Sequence, residues 1–502
     1  MTREDIDKVY SIQKQIVLLG NISALLDWDK EVNMPEQAVE ARSEQLAMVK
    51  KQAHELMISK ELFNAIRKAK RSDKLKNKDK TVIDRLEKDV KKARKLPAEF
   101  VEEMSRTVAK AQPAWEKAKN NNDFELFKPH LKKIIELKKQ EIKYINLSGH
   151  PYNSLLDDFE EGMTVEKIKP VFDNLKIDLK NILEKIKKTK KYKKQEKRLN
   201  KKTWPMEKQK EVCQSIAEAM GLKNEFSRMD EYVHPFTTNL GLNDVRITTS
   251  YHNKDFFAAF FATVHEAGHA LYELGFPEKF KYTVLHDAPS YGLHESQSRF
   301  WEEMIAKSES FWKKNLPWLK RNFPENLKGM SGQEFMKEIN LVKPSFIRIF
   351  ADEVTYCLHI ILRFELEMDL LTDKISVDSL PSEWNKKMTE LLGIKPKNDS
   401  EGVLQDVHWS MGAFGYFPTY AIGSIYASQI YKKMLKQNPK FEDDIAKGDY
   451  SKVLEWLRKK IHKHGRSMTA EEIIKKCCGQ PLSSQDFVDY LNEKYSKIYD
   501  FS

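Results

Sequence analysis

Two histidines and a glutamate occur at a spacing typical of zinc hydrolases. The segment Val264–Ala270 reads Val-His-Glu-Ala-Gly-His-Ala, so His265 and His269 are four residues apart. On a helix, residues four apart share one face, and both imidazoles can therefore bind one metal ion. Glu266 then turns toward a metal-bound water, whose proton its carboxylate can accept. Zinc would lower the pKa of that water and polarise a carbonyl group, which is the chemistry of amide hydrolysis.

The residues around this motif predict a largely buried helix. The preceding run Phe256–Ala262 is entirely apolar, and such a helix is a costly place for three polar side chains that bind nothing. The alternative is a helix with two ordinary histidines. Independent placement of His and Glu gives only about 0.03 such matches in this chain, which favours the metal site. Gly268 disfavours helix by about 1 kcal/mol relative to Ala, so we expect another backbone or the substrate to approach closely there.

A third metal ligand must come from outside this helix, because a catalytic zinc ion usually has three protein ligands and one open position. Glu295 is the leading candidate. It opens a second predicted helix, whose apolar positions, such as Phe300 and Met304, would pack inward. The residue types alone leave other donors open, namely His286, Asp287, His294, Glu302 and Glu303.

The elements that must position these side chains are mostly helical. In residues 1–220, apolar residues recur three and four apart and glycine is scarce. Five prolines fall where helices should start or bend: Pro97, Pro113, Pro129, Pro151 and Pro170. Because no repeat and no boundary is visible, we predict a single domain over 1–502, with a helical N-terminal half, 1–220, and a catalytic half, 221–502.

Two features interrupt the helical background. Between Phe226 and Tyr251 the pattern changes, and the β-favouring stretch Val245–Thr249 predicts a small sheet. Helical patterning resumes at Asp255 and is interrupted by a loop rich in glycine and aromatic residues, Gly402–Tyr420.

Composition and charge indicate a globular protein with strongly solvated helices. Hydrophobic residues make up 40% of the chain, charged residues 32%, and the net charge is +11. Lysines alternate with glutamates over stretches such as Leu75–Glu103, which favours a solvated helix face over a nucleic-acid surface. The densest basic run, Lys185–Lys202, is interpreted as an exposed hairpin or loop, with contact to an anionic surface as the alternative.

We expect a cytoplasmic location. The first twenty residues lack the pattern of a secretory signal, and eighteen consecutive apolar residues occur nowhere. The cysteines have no spacing that suggests a disulfide framework, which fits a reducing compartment. They are Cys213, Cys357, Cys477 and Cys478.

Six motifs occur in order along the chain: His234–Phe236, Asp244–Thr248, His265–His269, His294–Gln297, Ile347–Tyr356 and Gly402–Trp409. Together they resemble the Taq-type thermostable carboxypeptidase family of zinc metallopeptidases. The pairs Trp28-Asp29 and Met34-Pro35 also look like the opening segment of that family. The resemblance therefore extends over most of the chain.

The resemblance implies a mainly α-helical, bowl-shaped enzyme with a deep groove and a small β-sheet edge near the active site, usually a homodimer. It implies zinc bound by His265, His269 and Glu295, with Glu266 as general base and then as proton donor. Cobalt or manganese could occupy the same ligands. The strand Asp244–Thr248, which includes Arg246 as a substrate-binding residue, would be an edge strand that pairs with an extended peptide.

The resemblance also selects residues for substrate binding. Arg348 would bind the terminal carboxylate of a peptide, a role suited to its planar fork. The residue pattern alone would equally place Arg348 in a salt bridge to Asp352 or Glu353. His234 would contact substrate or only cap the turn before Pro235.

The loop Gly402–Tyr420 offers hydrogen-bond donors for the oxyanion of the tetrahedral intermediate. Similarity to the wider peptidase group favours His408 and Tyr420 near the substrate carbonyl, and Tyr416 is a further substrate-binding candidate. Each of these aromatic residues could instead pack in the core.

The sequence departs from other two-His, one-Glu peptidases at Arg299, four residues after Glu295, where an acid could have oriented a zinc-bound histidine. The orienting groups must therefore come from elsewhere, with Asp352 and Glu353 as candidates.

The predicted activity is zinc-dependent removal of single residues from the free C-terminus of peptides. A zinc oligopeptidase or peptidyl-dipeptidase with the same site is one alternative, and a non-enzymatic basic protein that binds nucleic acid through Lys185–Lys202 is another. We expect peptide substrates, a homodimer, and neither a membrane nor a nucleic-acid partner.

Overall fold

Helices form nearly all of the regular structure in the computed structural model, which describes residues 3–502. Up to residue 220 the α-helices are α1 (Glu4–Val32), α2 (Val39–Ile58), α3 (Lys60–Ala69), α4 (Asn77–Ala93), α5 (Ala98–Asn121), α6 (Phe124–Ile145), α7 (Asn153–Leu156), α8 (Val165–Lys188), α9 (Lys190–Lys193) and α10 (Met206–Met220). After the sheet they are α11 (Phe256–Glu273), α12 (Tyr291–Arg299), α13 (Glu309–Asn322), α14 (Gly332–Ile339), α15 (Tyr356–Leu371), α16 (Leu380–Leu392), α17 (Pro418–Gln437), α18 (Phe441–Lys447), α19 (Ser451–Lys460), α20 (Ala470–Cys478) and α21 (Gln485–Tyr499).

Two of the predicted helices carry the metal motif residues, and each begins at a side-chain cap. Asp255 accepts a hydrogen bond from the Ala258 N–H at 3.2 Å and starts α11. Ser290 accepts one from the Leu293 N–H at 3.0 Å and starts α12. Such caps satisfy N–H groups that have no partner inside the helix. A π-helical turn, Phe300–Ala306, continues directly from α12.

The prolines of the N-terminal half divide between helix starts and helix interiors. Pro97 precedes α5, and Pro151 lies in the turn before α7. Three others lie inside helices: Pro113 in α5, Pro129 in α6 and Pro170 in α8.

The predicted small sheet is present, but its strand order differs from the prediction. Its strands are β1 (Ser227–Glu231), β2 (Thr237–Gly241) and β3 (Asp244–Thr249), in the order β1-β3-β2. The prediction that Asp244–Thr248 is an edge strand is wrong, because β3 pairs with β1 in parallel and with β2 in antiparallel. Both sides of its backbone are therefore used. Within the described residues, β1 and β2 each pair with β3 alone, so the outer edge of each is unpaired by another strand, and β2 contacts both α1 and α11.

The helices α11 and α12 cross at Gly268. A Cβ atom built on Gly268 would lie 2.8 Å from the Ser298 Cα and 2.9 Å from the Gln297 carbonyl oxygen. The prediction that another backbone approaches closely at this glycine is confirmed. Only a residue without a side chain permits this crossing, which brings the two predicted ligand-bearing helices together.

Two hydrophobic clusters support the fold. The larger one runs from Ala111 to Tyr499 and contains buried side chains from both crossing helices, such as Ala267 of α11 and Leu293 of α12. The smaller one is formed by α1, α3 and α4 and contains side chains such as Val9, Ile66 and Leu86. Ion pairs join this N-terminal unit to the rest of the protein, among them Asp89–Arg466 at 2.7 Å.

The last helix, α21, contacts the segment that follows α12. The Tyr490 hydroxyl donates to the Glu303 carbonyl oxygen at 2.9 Å, and Lys494 pairs with Glu353 at 2.7 Å. The Tyr495 hydroxyl donates to the same Glu353 carboxylate at 2.8 Å. Residues near the C-terminus therefore complete a buried ionic network behind the candidate metal site.

The basic run Lys185–Lys202 is the end of α8, then α9 and a 3-10 turn at Leu199–Lys201, rather than a hairpin. Some of its cations have partners within the chain, such as Lys191 with Asp500 at 2.8 Å and Arg198 with Glu338 at 3.1 Å. All four cysteines are free thiols. Within residues 3–502, no helix is both long enough and apolar enough to cross a membrane.

Candidate active site

The three predicted metal ligands lie together. The Glu295 Oε2 atom is 3.7 Å from His265 Nε2 and 3.5 Å from His269 Nε2, and all three ligand atoms lie within 4.8 Å of one another. Two atoms that each lie about 2.0–2.1 Å from a tetrahedral ion are themselves separated by about 3.3–3.4 Å. The two nitrogens and one carboxylate oxygen therefore fit a zinc-type site without rearrangement of the helices.

The rival donors have other contacts. His294 pairs with Glu273 at 2.8 Å, and Glu303 accepts from Arg299 at 2.7 Å. His286 and Asp287 lie in the loop before α12 and do not belong to the ligand group. Two of the rival donors contact a member of the group without joining it: Glu302 hydrogen-bonds the far side of the His265 imidazole, and His294 stacks on the His269 ring.

The side chains of the candidate metal ligands are held by buried charges. Glu302 Oε2 lies 2.8 Å from His265 Nδ1, and Lys307 pairs with the other oxygen of Glu302 at 2.8 Å. A carboxylate at Nδ1 fixes the proton there, so Nε2 is left with its lone pair for a metal. Arg299 Nε donates to Glu295 Oε1 at 2.7 Å, which leaves Oε2 to face the imidazoles.

The prediction that Asp352 and Glu353 orient the metal-binding histidines is therefore wrong. Asp352 accepts the backbone N–H groups of Val354 and Thr355 in the turn before α15, and Glu353 binds Lys494. A signal for Glu302 was present in the sequence, because it stands seven residues after Glu295 and thus on the same helix face.

His269 lies in a different environment from His265. The His294 ring stacks on the His269 ring with centroids 4.3 Å apart, and His269 Nδ1 has no hydrogen-bond partner within residues 3–502. Burial and the neighbouring His294 lower the pKa of His269 to about 3, so its imidazole is neutral. Burial also lowers the pKa of His265, but Glu295 and Glu302 outweigh it and raise that pKa to about 9. A cation and a proton thus compete for the His265 nitrogen.

Glu266 is held by the edge strand β2. The Thr237 hydroxyl lies 2.6 Å from Glu266 Oε2, to which it donates its single proton, and 3.0 Å from the Glu266 carbonyl oxygen. Burial raises the pKa of the Glu266 carboxyl above its usual range, against the opposing effects of His265 and Thr237. A buried carboxylate with a raised pKa is a stronger base for a water proton.

Arg348 is buried, with 6% of its surface exposed, and its predicted salt-bridge partners are not the ones that it contacts. Its Nε and Nη2 donate to Asp406 Oδ1 at 3.0 and 2.9 Å, and its Nη1 donates to the Tyr356 hydroxyl at 3.1 Å. The guanidinium lies over the Tyr420 ring, 4.8 Å from the centroid. Arg348 therefore belongs to one cluster with the aromatic loop.

The predicted aromatic residues His408, Tyr416 and Tyr420 lie side by side, although Tyr420 belongs to the first turn of α17 rather than to the loop. His408 Nε2 is 3.1 Å from the Tyr420 hydroxyl, and the Tyr416 ring lies 5.3 Å from both rings. Burial lowers the pKa of His408 to about 3, with Asp406 opposing and Arg348 assisting that change. The neutral His408 and the Tyr420 hydroxyl together form a fixed donor–acceptor pair.

Glu367 is a supporting residue of this loop that the sequence did not reveal. Its carboxylate accepts from Trp409 Nε1 at 2.8 Å, from the Gly415 N–H at 3.0 Å and from the Tyr152 hydroxyl at 2.6 Å. An acid on the apolar helix α15 was the available signal, since a buried carboxylate requires partners. Two of these bonds fix the loop between His408 and Tyr416, and the third ties Glu367 to Tyr152.

Two predicted substrate-binding residues have other contacts. Arg246 pairs with Asp244 at 3.0 Å and lies 4.3 Å from the centre of the Trp28 ring, so its charge is compensated within the sheet and by α1. The His234 side chain is exposed in the turn before β2, and its carbonyl oxygen accepts from the Thr248 hydroxyl at 3.3 Å.

Residues 8–495 match the family described as Carboxypeptidase Taq (M32) metallopeptidase. The chain belongs to this family of metallocarboxypeptidases. It is 38% identical over 495 residues to thermostable carboxypeptidase 1 of Pyrococcus furiosus, covering 98% of both chains. It is also 38% identical over 493 residues to carboxypeptidase 1 of Bacillus subtilis, again covering 98% of both.

Solved structures agree with these relationships. The chain superposes on a Pyrococcus furiosus carboxypeptidase with a TM-score of 0.94 at 38% identity, covering 99% of both chains. An M32 carboxypeptidase from Deinococcus radiodurans gives a TM-score of 0.95 at 33% identity, covering 99% of this chain and 100% of that chain. The predicted family, the mainly α fold and the enzyme class are confirmed: the protein is a metal-dependent carboxypeptidase acting on peptides.

Proposed function

We propose that this carboxypeptidase uses zinc held by His265 Nε2, His269 Nε2 and Glu295 Oε2 and releases single residues from the C-terminus of peptides. The observation that carries the proposal is the set of three donor atoms within 4.8 Å of one another, beside a base and an arginine cluster. Zinc, when bound, would polarise the scissile carbonyl and lower the pKa of water. Cobalt and manganese are substitutes that the same donors accept.

Glu266 is proposed as the general base. Its Oε2 atom, fixed by the Thr237 hydroxyl at 2.6 Å, would accept the proton of the attacking water. The same carboxyl would then donate that proton to the leaving amine, because the amine is the stronger base once the C–N bond breaks.

The free edge of β2 is proposed as the strand that binds substrate. An extended peptide would pair with it and so pass Glu266, whichever side chains it carries. This role passes from β3 to β2, because β3 is the central strand. Arg246 and His234 remain proposed contacts for the peptide outside the scissile bond.

His408, Tyr416 and Tyr420 are proposed to face the reacting carbonyl. His408 Nε2 would donate to the Tyr420 oxygen at 3.1 Å, which leaves the hydroxyl proton of Tyr420 free to point at a developing oxyanion. Donors placed in advance for such a charge are typically worth about 3–4 kcal/mol. Tyr416 would support both rings by contact.

Arg348 is proposed to bind the terminal carboxylate, which makes the enzyme a carboxypeptidase rather than an oligopeptidase. Two of its N–H groups go to Asp406 and one to Tyr356. A guanidinium has five N–H groups, so one on each terminal nitrogen remains for a bidentate carboxylate.

The resemblance further supports a single domain over 1–502, a homodimer and a cytoplasmic location. Light scattering coupled to size exclusion would test the dimer directly. A mass of one chain, 58.8 kDa, would contradict it.

The activity is tested with a short peptide and its C-terminally amidated copy, each incubated with zinc-loaded protein and followed by mass spectrometry. Stepwise loss of single residues from the free acid alone, absent in Glu266→Ala, is the expected result. Equal internal cleavage of both peptides would favour the oligopeptidase or peptidyl-dipeptidase alternative. Substitution of zinc by cobalt, read from its visible spectrum, would report the ligand set independently of turnover.

A further inference from the structure

Asp406 lies between two buried arginines. Its Oδ1 accepts from Arg348 Nε and Nη2, at 3.0 and 2.9 Å, and its Oδ2 accepts from Arg363 Nε at 2.7 Å. The exposed fractions of the three side chains are 11% for Asp406, 8% for Arg348 and 0% for Arg363. One carboxylate is thus divided between two guanidinium groups, one oxygen to each.

Arg363 cannot touch a substrate, because no part of its side chain is exposed. Its guanidinium lies 4.6 Å from the Trp384 ring centre and 5.4 Å from the Phe417 ring centre, and its Nη1 donates to the His359 carbonyl oxygen at 2.7 Å. These contacts fix Arg363 to α15 and α16. Arg363 therefore fixes Asp406. Asp406 in turn fixes one edge of the Arg348 guanidinium, formed by Nε and Nη2, and the two N–H groups that remain for a substrate lie away from that edge.

The backbone strengthens this arrangement. Gln405, the residue before Asp406, accepts the Arg348 N–H at 2.8 Å through its side-chain oxygen, while its amide nitrogen donates to the Phe346 carbonyl oxygen at 3.0 Å. The segments that carry Arg348 and Asp406 are thus joined twice. The Gln405 side chain binds backbone groups of Phe346 and Arg348, and Asp406 forms the ion pair with the Arg348 side chain. A planar fork held on one edge can approach a carboxylate only with its other edge.

We propose that Asp406, supported by Arg363, is a positioning residue that sets the orientation of Arg348 and so the selectivity of the enzyme for a free C-terminal carboxylate. This inference rests on the proposed role of Arg348. It assigns Asp406 a task distinct from neutralising charge: two arginines and one aspartate leave a net charge of +1, which a substrate carboxylate would balance.

Charge and orientation predict opposite results for Asp406→Asn. The substitution raises the net charge of the cluster from +1 to +2, so charge alone would tighten binding of a carboxylate. Orientation predicts weaker binding of the carboxylate. The amide NH2 of Asn is a donor like the guanidinium that it would face, so the hydrogen bonds to that guanidinium are lost. A displacement of about 1 Å costs on the order of 100-fold in such sites.

The assay measures kcat and KM of the zinc-loaded full chain for a peptide as free acid and as amide. For Asp406→Asn we expect KM for the free acid to rise about 10–100-fold, with a smaller change in kcat and unchanged zinc content. The preference of the enzyme for the free acid over the amide should fall as this KM rises. An unchanged or lower KM for the free acid would overturn the proposal.

Two further variants keep the test decisive. Arg363→Lys retains every charge but loses the fork that holds Asp406, so a rise in KM for the free acid of the same sign is expected, and an unchanged KM would contradict the proposal even if Asp406→Asn does not fold. Asp352→Asn is the matched control: its carboxylate lies in the same Ile347–Tyr356 segment but bonds Lys343, Val354 and Thr355 rather than an arginine. It should lower thermal stability without altering the free-acid preference.

Failure of the proposed carboxylate-binding role of Arg348, here called the anchor, can be distinguished from failure of the positioning role of Asp406. If the unsubstituted enzyme cleaves the amide as readily as the free acid, the role of Arg348 is wrong. If it discriminates but Asp406→Asn and Arg363→Lys discriminate equally well, the anchor stands and the positioning role of Asp406 is wrong.

Discussion

Replacement of Gly268 by alanine should separate the two ligand-bearing helices. The added methyl group would lie 2.8 Å from the Ser298 Cα, 2.9 Å from the Gln297 oxygen and 3.1 Å from the Trp301 Cδ1 atom. Two of these neighbours are backbone atoms of α12 and cannot turn aside. The strain therefore has to be relieved by movement of α12 relative to α11.

The size of that movement follows from contact distances. Non-bonded carbon atoms prefer about 3.5–4.0 Å, so α12 must retreat by roughly 0.7 Å. Metal–ligand distances tolerate only about ±0.2 Å, and Glu295 moves with α12 while His265 and His269 stay on α11. We expect zinc affinity to fall about 10–100-fold, as is typical when supporting contacts of metal ligands are lost. The stability cost of overpacking, about 1–3 kcal/mol, is partly offset by about 1 kcal/mol of helix propensity.

Calorimetric zinc titration and thermal unfolding would measure both quantities. Gly20→Ala is the matched control, because Gly20 lies inside α1 and no atom of residues 3–502 lies within 4 Å of its added methyl group. It should raise stability by up to about 1 kcal/mol and leave zinc affinity unchanged. Zinc affinity of Gly268→Ala equal to that of the unsubstituted protein would refute the reasoning.

Three further outcomes follow from single contacts. Glu302→Gln should weaken zinc binding about 10–100-fold in chelator competition, since His265 loses the carboxylate at its Nδ1; an unchanged Kd would contradict this. Thr237→Val should lower kcat by roughly 10-fold at unchanged zinc affinity, because Glu266 loses a bond of 2.6 Å; wild-type kcat would show that the bond is dispensable. Burial raises the pKa of Glu367 to about 7, whereas an unfolded glutamate titrates near 4.3. The folded protein therefore binds the extra proton, and its free energy of unfolding should fall as pH rises between these values, by roughly 4 kcal/mol. Urea titrations at several pH values should show this slope reduced in Glu367→Gln, and an unaltered slope would exclude the assignment.

The sequence was sufficient for the features that depend on local spacing. The two histidines one helical turn apart, the apolar run before them and the crowded Gly268 all follow from helix geometry. Glu295 required the family resemblance, because five other donors had the right chemistry. The helical background followed from periodicity, and the small sheet from its β-branched residues.

The parts that were missed depend on contacts between distant segments. The pairing of β1 with β3 in parallel cannot be read from either strand, so the central position of β3 was not predicted. The partner of Arg348 is Asp406, far along the chain, whereas local spacing had favoured Asp352 and Glu353. Glu302 is an intermediate case, since its spacing from Glu295 placed it on the correct face but not against His265.

Because synthesis starts at the N-terminus, α21 and its contacts with the rest of the protein are made last. The candidate ligands His265, His269 and Glu295 leave the ribosome about 200 residues before Lys494 and its neighbours. At about 5–20 residues per second, these three residues exist for roughly 10–40 s without the helix that completes the buried network behind them. Nor are His408 and Tyr420 present when the candidate ligands first emerge. The nascent chain can thus carry all three candidate ligands while it still lacks other residues that are proposed to act in peptide hydrolysis.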